Sequence, residues 1–461
     1  MNYRITLSII VFAVFSCQSN RHLSFLESVS YYSVIDFGAT GDGIAKETEA
    51  IHKAINVCSG NGGGRVYFPP GKFLTGAIHL KDNVTLYLEK GSELIFSEDF
   101  NDYPTVQTRF EGVECHGYSP LIYGKDLVNI SVRGEGIING NGKIWWDRQN
   151  IIMSKPGNEI LPESEREQEF AELNRNCDPG DLVSSHKWYW ISQFIRPSCI
   201  QFYNCENVII EGITILNSPF WTVHPVYCKN VRINGIIIKN PENSPNTDGI
   251  NPDSSEDVYI SNCHIDVGDD CITLKSGRDT EGRKIAVPCQ NIFISNCIMN
   301  HGHGGIVIGS EMSGGVRNIV VSNCIFQGTE RGIRIKTQRG RGGMVENIFI
   351  SNIIMENVRT PVVLNMQYTD IPQESFSERT PTLKDLYFDN IIAKHAEEAA
   401  EFIGLEENPI KNISVSDCYI QAVKGIKGIF LENCIFKNVK LDIKEGKNYD
   451  IRLSKEVFIN E

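Results

Sequence analysis

The chain has 461 residues, with 44 Lys and Arg against 57 Asp and Glu, which gives a formal net charge of −13 and a pI of about 5.4. A hydrophobic fraction of 41% with 40 Gly and 18 Pro is typical of a folded globular chain and excludes a disordered or collagen-like one. So acidic a chain is also a poor candidate for non-specific nucleic-acid binding, which depends on Lys and Arg neutralising phosphates.

The first apolar run, Ile5 to Phe15, is too short to span a bilayer and is typical of an export signal. It ends in Val-Phe-Ser-Cys at Cys17, which resembles the lipobox of bacterial lipoproteins, whose cysteine is acylated after cleavage. We therefore expect a signal peptide over 1–16, lipidation of Cys17, a tether over 17–32 and export to a Gram-negative cell envelope, facing the periplasm or the cell surface. An ordinary signal peptide with a chance cysteine is the alternative. No second span follows, so we expect membrane contact only through the lipid.

A helix is predicted early in the mature chain. Thr48 to Cys58 places Ile51, Ala54, Ile55 and Cys58 on one helical face, and the glycine-rich run 60–64 ends the pattern. Such a helix can cap the open end of a solenoid, which otherwise exposes its core.

A repeated phrase organises the rest of the chain. Clear copies begin at Asn207, Asn230, Asp257, Asn291, Asn318 and Asn347, and weaker ones at Asp385, at Asn412 and near Ile426. The copies at 257, 291, 318 and 347 are 34, 27 and 29 residues apart, and each combines a β-branched strand, an Asn-containing turn and a second strand. This pattern predicts an all-β fold, a right-handed parallel β-helix forming one domain over 33–461. A polar insertion of about fifty residues, 146–196, interrupts it and contains a predicted helix at 163–173.

Many of the 14 cysteines end the repeated phrase, as Cys263, Cys297 and Cys324 do. We interpret this series as an internal stack of small apolar side chains in preference to disulfides. The preceding asparagine is suited to a left-handed turn position.

Alignment of the coils on their second strands brings polar residues into register. With Ile250, Ile272, Ile306 and Ile333 as equivalent positions, Asp248 and Asp270 come two residues earlier, and Asp269 and His303 three residues earlier. Arg334 and Lys336 alternate along the last strand, so both point outward.

Carboxylates gathered in this way repel one another, so at least one should have a raised pKa and keep a proton near neutral pH. Glycoside hydrolysis needs that combination of a protonated acid and an ionised base. A structural ladder of Asp residues that caps turns, sometimes with calcium, is the alternative; we expect no metal and no cofactor.

Basic residues are dense at Arg331, Arg334, Lys336, Arg339 and Arg341. In a chain of this charge, an anionic substrate beside the acidic cluster explains them, because Arg and Lys bind carboxylates. For Arg339 and Arg341 a solvated loop is the alternative.

Four motifs in this order, Asn-Thr-Asp-Gly at Asn246, Gly-Asp-Asp-Cys at Gly268, Gly-His-Gly at Gly302 and Arg-Ile-Lys at Arg334, resemble the signature of glycoside hydrolase family 28, the polygalacturonases. The resemblance extends over about 33–368 and includes Asp-Phe-Gly-Ala-Thr-Gly-Asp-Gly at Asp36. It implies a right-handed parallel β-helix and hydrolysis of α-1,4 bonds between galacturonic acid units of pectin. No nucleic-acid partner is expected.

The resemblance also implies roles. Asp269 would be the general acid, Asp248 with Asp270 would activate water, and His303 would tune the acid. The substrate would be held by Arg334, Lys336, Asn246 and Tyr368. The family inverts the anomeric centre, although carboxylates on adjacent coils lie near the ~5 Å at which retention is the general rule.

Three other functions stay open: a rhamnogalacturonan hydrolase, which has less need of Arg334 and Lys336, a calcium-dependent pectate lyase, and a non-catalytic polysaccharide-binding β-helix. We expect an exo enzyme acting from the non-reducing end, because the long insertion can close one end of the cleft. Its aromatic residues, Trp145, Trp146 and the run from Trp188 to Trp190, are suited to sugar rings.

Overall fold

Short parallel strands coil into a right-handed β-helix in the computed structural model, which describes residues 30–154, 164–177 and 194–460. The predicted fold class is confirmed. The predicted signal peptide, Cys17 and most of the tether lie outside the described residues. Within the described ranges, no helix is both long and apolar enough to cross a bilayer.

The described helices are α1 (Thr48–Gly60), α2 (Lys143–Ser154), α3 (Glu165–Leu173) and α4 (Asp279–Ile285), with 3-10 turns at Val34–Phe37 and Phe100–Asp102. The described strands are β1 (Tyr31–Ser33), β2 (Asp42–Lys46), β3 (Gly64–Phe68), β4 (Gly71–Thr75), β5 (Ile78–His79), β6 (Val84–Leu88), β7 (Ser92–Phe96), β8 (Thr105–Phe110), β9 (Val113–Tyr118), β10 (Ile122–Lys125), β11 (Val128–Gly134), β12 (Ile137–Asn139), β13 (Ile200–Tyr203), β14 (Glu206–Glu211), β15 (Thr214–Leu216), β16 (Val223–Val226), β17 (Lys229–Asn234), β18 (Ile237–Lys239), β19 (Glu256–Ser261), β20 (His264–Asp266), β21 (Ile272–Leu274), β22 (Cys289–Ser295), β23 (Ile298–Asn300), β24 (Ile306–Gly309), β25 (Val316–Gln327), β26 (Arg331–Lys336), β27 (Met344–Glu356), β28 (Thr360–Asn365), β29 (Thr382–Ile403), β30 (Ile410–Ile429), β31 (Leu431–Arg452) and β32 (Lys455–Asn460).

The strands stack into three faces of the solenoid. One face runs from β3 through β6, β11, β14, β17, β19 and β22 to β25, and a second from β4 through β7, β12, β15, β18 and β20 to β23. The third runs from β5 through β10, β13 and β16, continues through a bridge at Ile250, and resumes as β21, β24, β26 and β28. We call this third stack the catalytic face, because it carries the residues that the family resemblance marks as catalytic.

The register of the catalytic face is the one predicted. Ile250 pairs with Ile272, Ile272 with Ile306, and Ile306 with Ile333. These four side chains are buried, so the residues that alternate with them point outward.

The interior contains the cysteines as small buried side chains. Cys263, Cys297 and Cys324 are free thiols at most 2% exposed, and the other described cysteines are free as well. The prediction of an internal stack without disulfides is confirmed for the described residues. The asparagines before these cysteines have φ of +57°, as the turn interpretation requires.

The N-terminal cap is also confirmed. Helix α1 buries Ala50, Ile51, Ala54, Ile55 and Cys58, and its backbone carbonyls at Cys58 and Ser59 accept hydrogen bonds from the residues that follow. Gly63 takes φ of +113° there, and a Cβ would lie 2.5 Å from the Asn83 carbonyl oxygen, so only glycine fits.

The described part of the insertion packs against the flank of the solenoid. Trp145, which we expected to contact sugar, is instead fully buried among Tyr103, Tyr118 and Phe194, and Phe170 of α3 packs on Tyr118 at 4.8 Å. The expectation for Trp145 was therefore wrong, because its ring belongs to the core. Trp188 and Trp190 lie outside the described residues.

Candidate active site

A cavity of about 630 Å³ opens on the catalytic face. All eight residues that the sequence singled out as catalytic or substrate-binding line it: Asn246, Asp248, Asp269, Asp270, His303, Arg334, Lys336 and Tyr368. Residues separated by more than 120 positions therefore meet because the coils stack in register.

Three carboxylates form the floor of the cavity. One oxygen from each of Asp248, Asp269 and Asp270 lies within 4.8 Å of the others. Asp248 is 2% exposed and Asp270 1% exposed, whereas Asp269 is half-buried. Asp269 is thus the member of the group that presents itself to a bound molecule, with the other two beneath it.

Two motif glycines permit this close approach. A Cβ at Gly268 would lie 2.5 Å from the carbonyl oxygen of Ser244, and one at Gly302 would lie 2.3 Å from that of Asp269. Gly302 also has φ of +82°. These backbone contacts pack the turn carrying Asp269 between its neighbours and fix where the carboxylates point.

The pKa values of Asp248 and Asp269 are shifted in opposite directions. Burial, reinforced by the neighbouring Asp269, raises the pKa of Asp248 well above its usual value. Burial also acts to raise the pKa of Asp269, but the hydrogen bond with His303 and the charge of Lys336 outweigh it and lower that pKa. These opposite shifts favour the protonated form at Asp248 and not at Asp269, to which the resemblance gave the role of acid.

His303 is the direct partner of Asp269. Its Nδ1 lies 3.1 Å from Oδ1 of Asp269, and its backbone N–H donates to the Asp269 carbonyl oxygen. The hydrogen bond to Asp269 raises the pKa of His303. Protonation of the imidazole and ionisation of this carboxylate thus favour each other.

The two basic residues of β26 differ in their partners. Nζ of Lys336 lies 2.8 Å from Oδ2 of Asp270, while the nearest guanidinium nitrogen of Arg334 is 3.9 Å from Oδ1. Tyr368, 41% exposed, lies over both, with its ring centre 5.6 Å from each charged group. This arrangement leaves Arg334 better placed than Lys336 to meet a substrate carboxylate.

Asn246 is held by an arginine that sequence reasoning did not single out. The guanidinium of Arg196, 2% exposed, donates to Oδ1 of Asn246 at 2.7 Å and to the Pro245 carbonyl oxygen at 2.8 Å. Asn246 takes φ of +54°. Arg196 thereby fixes the loop that leads to Asp248.

A second lysine in the cavity was missed. Lys275 is 3% exposed, with Nζ 2.9 Å from Glu311 and 4.3 Å from the ring centre of Trp221. It follows Ile272 by three positions, just as Lys336 follows Ile333. The register alignment contains this signal, although Lys275 directly follows β21 and has no arginine beside it.

A β-hairpin reaches the cavity from an earlier coil. Strands β8 and β9 pair antiparallel, and Glu111 at their tip lines the cavity and pairs with Arg278 at 3.0 Å. Gly112 beside it has φ of +81°, and a Cβ there would lie 3.0 Å from the Arg278 backbone nitrogen. No described residue of the 146–196 insertion lines the cavity. The described residues therefore place the hairpin tip, and not the insertion, at this wall.

The end of the basic run is structural. Arg339 donates to both carboxylate oxygens of Glu407, at 2.6 and 2.9 Å, and Arg341 pairs with Asp279 and donates to the Ser310 carbonyl oxygen. Both are at most 9% exposed. The solvated-loop alternative for this pair is wrong.

The same three Asp carboxylates have the spacing of an oxygen-ligated cation site. Lys336 and Lys275 already neutralise charge at this point. Both lysines therefore compete with a metal ion for these oxygens.

Comparisons with known proteins agree with this geometry. The family model described as glycosyl hydrolases family 28 matches residues 189–442, and one described as rhamnogalacturonase A/epimerase, pectate lyase-like, matches residues 31–93. A probable polygalacturonase of Vitis vinifera is 31% identical over 86% of this chain and 75% of its own length. The exo-poly-alpha-D-galacturonosidase of Dickeya chrysanthemi is 27% identical over 73% of this chain and 57% of its own. The crystal structure of an exopolygalacturonase from Thermotoga maritima superposes with a TM-score of 0.76 at 36% identity, covering 92% of this chain and 91% of that one.

Proposed function

The chain belongs to glycoside hydrolase family 28 and is a glycoside hydrolase of the polygalacturonase type, and from this premise we propose that it removes galacturonic acid from the non-reducing end of homogalacturonan or its oligosaccharides, with inversion. The observation that carries the proposal is the meeting of three carboxylates with Arg334 and Lys336 in one cavity.

Recognition of a uronate follows from the charges at the rim. Arg334 lies over Tyr368 with its guanidinium only loosely paired, so a carboxylate can accept a bidentate pair of hydrogen bonds from it. A neutral sugar would leave this buried positive charge without a strong partner. The pair thus supports galacturonan over a rhamnose-containing backbone.

Proton transfer among the carboxylates gives each its role. The hydrogen bond from His303 and the charge of Lys336 lower the pKa of Asp269. A substrate carboxylate that pairs with Arg334 beside Lys336 adds a negative charge near Asp269 and raises that pKa again. The proton carried by Asp248 then passes to Asp269, 4.8 Å away at most. Asp269 becomes the general acid for the leaving oxygen, and Asp248, now ionised, activates water together with Asp270.

The burial of two of the three carboxylates supports inversion. Asp248 and Asp270 are almost completely buried, so neither can approach an anomeric carbon as a nucleophile, yet a water above them can. The short carboxylate separation taken alone would indicate retention. NMR of the first product from an oligogalacturonide decides: the β-anomer of galacturonic acid supports inversion, and the α-anomer contradicts it.

Exo action is supported by the hairpin that walls the cavity. The Glu111 tip is tied to Arg278, and Arg278 lies in the same charged wall as Glu311 and Arg341. A polymer cannot pass a closed wall, so only a chain end enters. The Thermotoga maritima relative is named an exopolygalacturonase, which agrees with this mode.

Export and lipidation complete the proposal. The Val-Phe-Ser-Cys sequence supports acylation of Cys17 and attachment of the 33–461 domain to a Gram-negative envelope. Detergent phase partitioning tests it: the full chain should enter the detergent phase and Cys17→Ser should not. Recovery of both in the aqueous phase would contradict a lipid anchor.

A further inference from the structure

A row of exposed side chains lies on a face of the solenoid away from the catalytic face. Tyr259, Phe293, Val320, Phe349 and Tyr387 are partners in successive strands β19, β22, β25, β27 and β29. Each is more than a third exposed. Four of the five are aromatic, and the row is broken at its centre by a valine.

The rings are stacked in two pairs with a gap between them. Tyr259 and Phe293 lie 5.2 Å apart at an interplanar angle of 7°, and Phe349 and Tyr387 lie 4.7 Å apart at 4°. A cavity of about 460 Å³ lies between the pairs, with Val320 in its lining. We call this cavity the valine notch.

We propose that the valine notch binds one neutral pyranose ring of a polysaccharide, held between the faces of Phe293 and Phe349. Neighbouring parallel strands are about 4.8 Å apart, so the two rings are separated by about 9.6 Å at the backbone. The stacked pairs on either side have centre distances of 5.2 and 4.7 Å, so a single inserted ring at similar distances fills the gap.

Hydrogen-bonding groups border the notch on one side. Asn291, Asn318 and Asn347 line it and form a ladder in which each amide nitrogen donates to the preceding side chain, at 3.0, 3.1 and 3.2 Å. Each amide has a second N–H and each carbonyl oxygen a second lone pair. These groups suit the hydroxyls at the edge of a sugar.

The charge of the notch selects the class of sugar. Asp257 is the one charged side chain among the described residues that line it. A galacturonan chain would bring carboxylates towards this anion, and no cation is among the described residues that line the notch to receive them. The notch shares no lining residue with the catalytic cavity, so the proposal goes beyond the hydrolytic function and does not depend on it.

Calorimetric titration of the full-length protein with β-1,4-galactohexaose tests the proposal. Val320→Phe completes the aromatic row and fills the notch, while Val320→Thr keeps the shape and serves as the matched control. We expect saturable binding by the wild type and Val320→Thr, weakened at least about tenfold in Val320→Phe. Phe293→Ala should weaken binding similarly, and hydrolysis of polygalacturonate should be unchanged in all three variants.

Other outcomes would overturn the proposal. The first is that the wild type does not bind galactohexaose, and the second is that Val320→Phe binds it equally well. The third is that the notch binds polygalacturonate equally tightly, measured in an Asp269→Asn background to prevent cleavage. A second copy of this chain could also occupy the notch, and analytical sedimentation tests that. If the wild type is a dimer and Val320→Phe is a monomer, the notch belongs to an interface between copies of this chain and the sugar proposal is wrong.

Discussion

The ammonium of Lys336 lies 2.8 Å from Oδ2 of Asp270. Both groups are almost completely removed from water, so each is the main partner of the other before any substrate arrives. We therefore propose different tasks for the two basic residues of β26: Lys336 holds the Asp270 carboxylate, and Arg334, further from Asp270, receives the substrate.

This difference predicts unequal effects of replacing the two residues with methionine. Arg334→Met should lower kcat/KM for polygalacturonate by about 10- to 150-fold, the worth of charged hydrogen bonds, and affect methyl-esterified pectin much less. Lys336→Met should impair both substrates and lower the free energy of unfolding by up to about 3 to 5 kcal/mol, because it leaves Asp270 buried with only the more distant Arg334 as a charged partner. Equal losses on both substrates for Arg334→Met would show that this residue is structural.

Asp269→Asn should abolish turnover without abolishing binding. The amide keeps the shape of the side chain but cannot donate the proton, so kcat should fall by about 100- to 10,000-fold, while the affinity for oligogalacturonides measured by calorimetry stays within a few-fold. Asp266→Asn is the matched control, because Asp266 pairs with His301 outside the cavity. Unchanged turnover in Asp269→Asn would contradict the role of Asp269 as general acid, and the absence of turnover in both the wild type and the variant would favour a non-catalytic binding protein.

The pairing of His303 with Asp269 predicts a pH-dependent contribution to stability. Asp269 raises the pKa of His303 above 6.5. The pair therefore contributes fully to the free energy of unfolding below pH 6.5, and this contribution disappears as the pH rises through the raised pKa. His303→Gln should therefore destabilise the protein more at about pH 5 than at about pH 9. Urea unfolding of the wild type and His303→Gln at the two pH values measures the difference in their free energies of unfolding. The same difference at both pH values would show that the pair does not contribute through its charge. The effect should be modest, since the imidazole is 48% exposed.

The hairpin tip predicts how exo action can be relaxed. Gly112→Ala places a Cβ against the Arg278 backbone nitrogen, at 3.0 Å, and should push the tip away from the wall. The share of galacturonic acid among early products should then fall and longer oligomers should appear. Gly235→Ala is the control, with a similar backbone at φ of +64° and open space around its Cβ. An unchanged product pattern in Gly112→Ala would show that the hairpin does not close the cleft.

The register of the coils made both the fold and the cluster of site residues predictable. Because strands stack in parallel, aligning Ile250, Ile272, Ile306 and Ile333 was sufficient to bring the carboxylates and the basic pair together. Asparagine at the turns and cysteine in the interior followed from local backbone conformation and size.

Two features outside the repeat could not be predicted. Trp145 looks the same in sequence whether its ring faces a sugar or a hydrophobic core, and only packing with Tyr103 and Tyr118 decides. The Glu111 tip reaches the cavity from more than 130 positions before Asp248, across a hairpin that follows no coil register. The opposite pKa shifts of Asp248 and Asp269 could not be predicted either, because they depend on the burial of Asp248 and on the hydrogen bond between His303 and Asp269.

The most direct test of the account is chromatography of the products of polygalacturonate hydrolysis over time, with viscosity followed in the same samples. We expect galacturonic acid as the main product from the first time point, a slow fall in viscosity and no absorbance from unsaturated sugars. Early mixed oligomers with a rapid fall in viscosity would contradict the closed cleft, and an unsaturated, ultraviolet-absorbing product that disappears with a chelator would contradict hydrolysis itself.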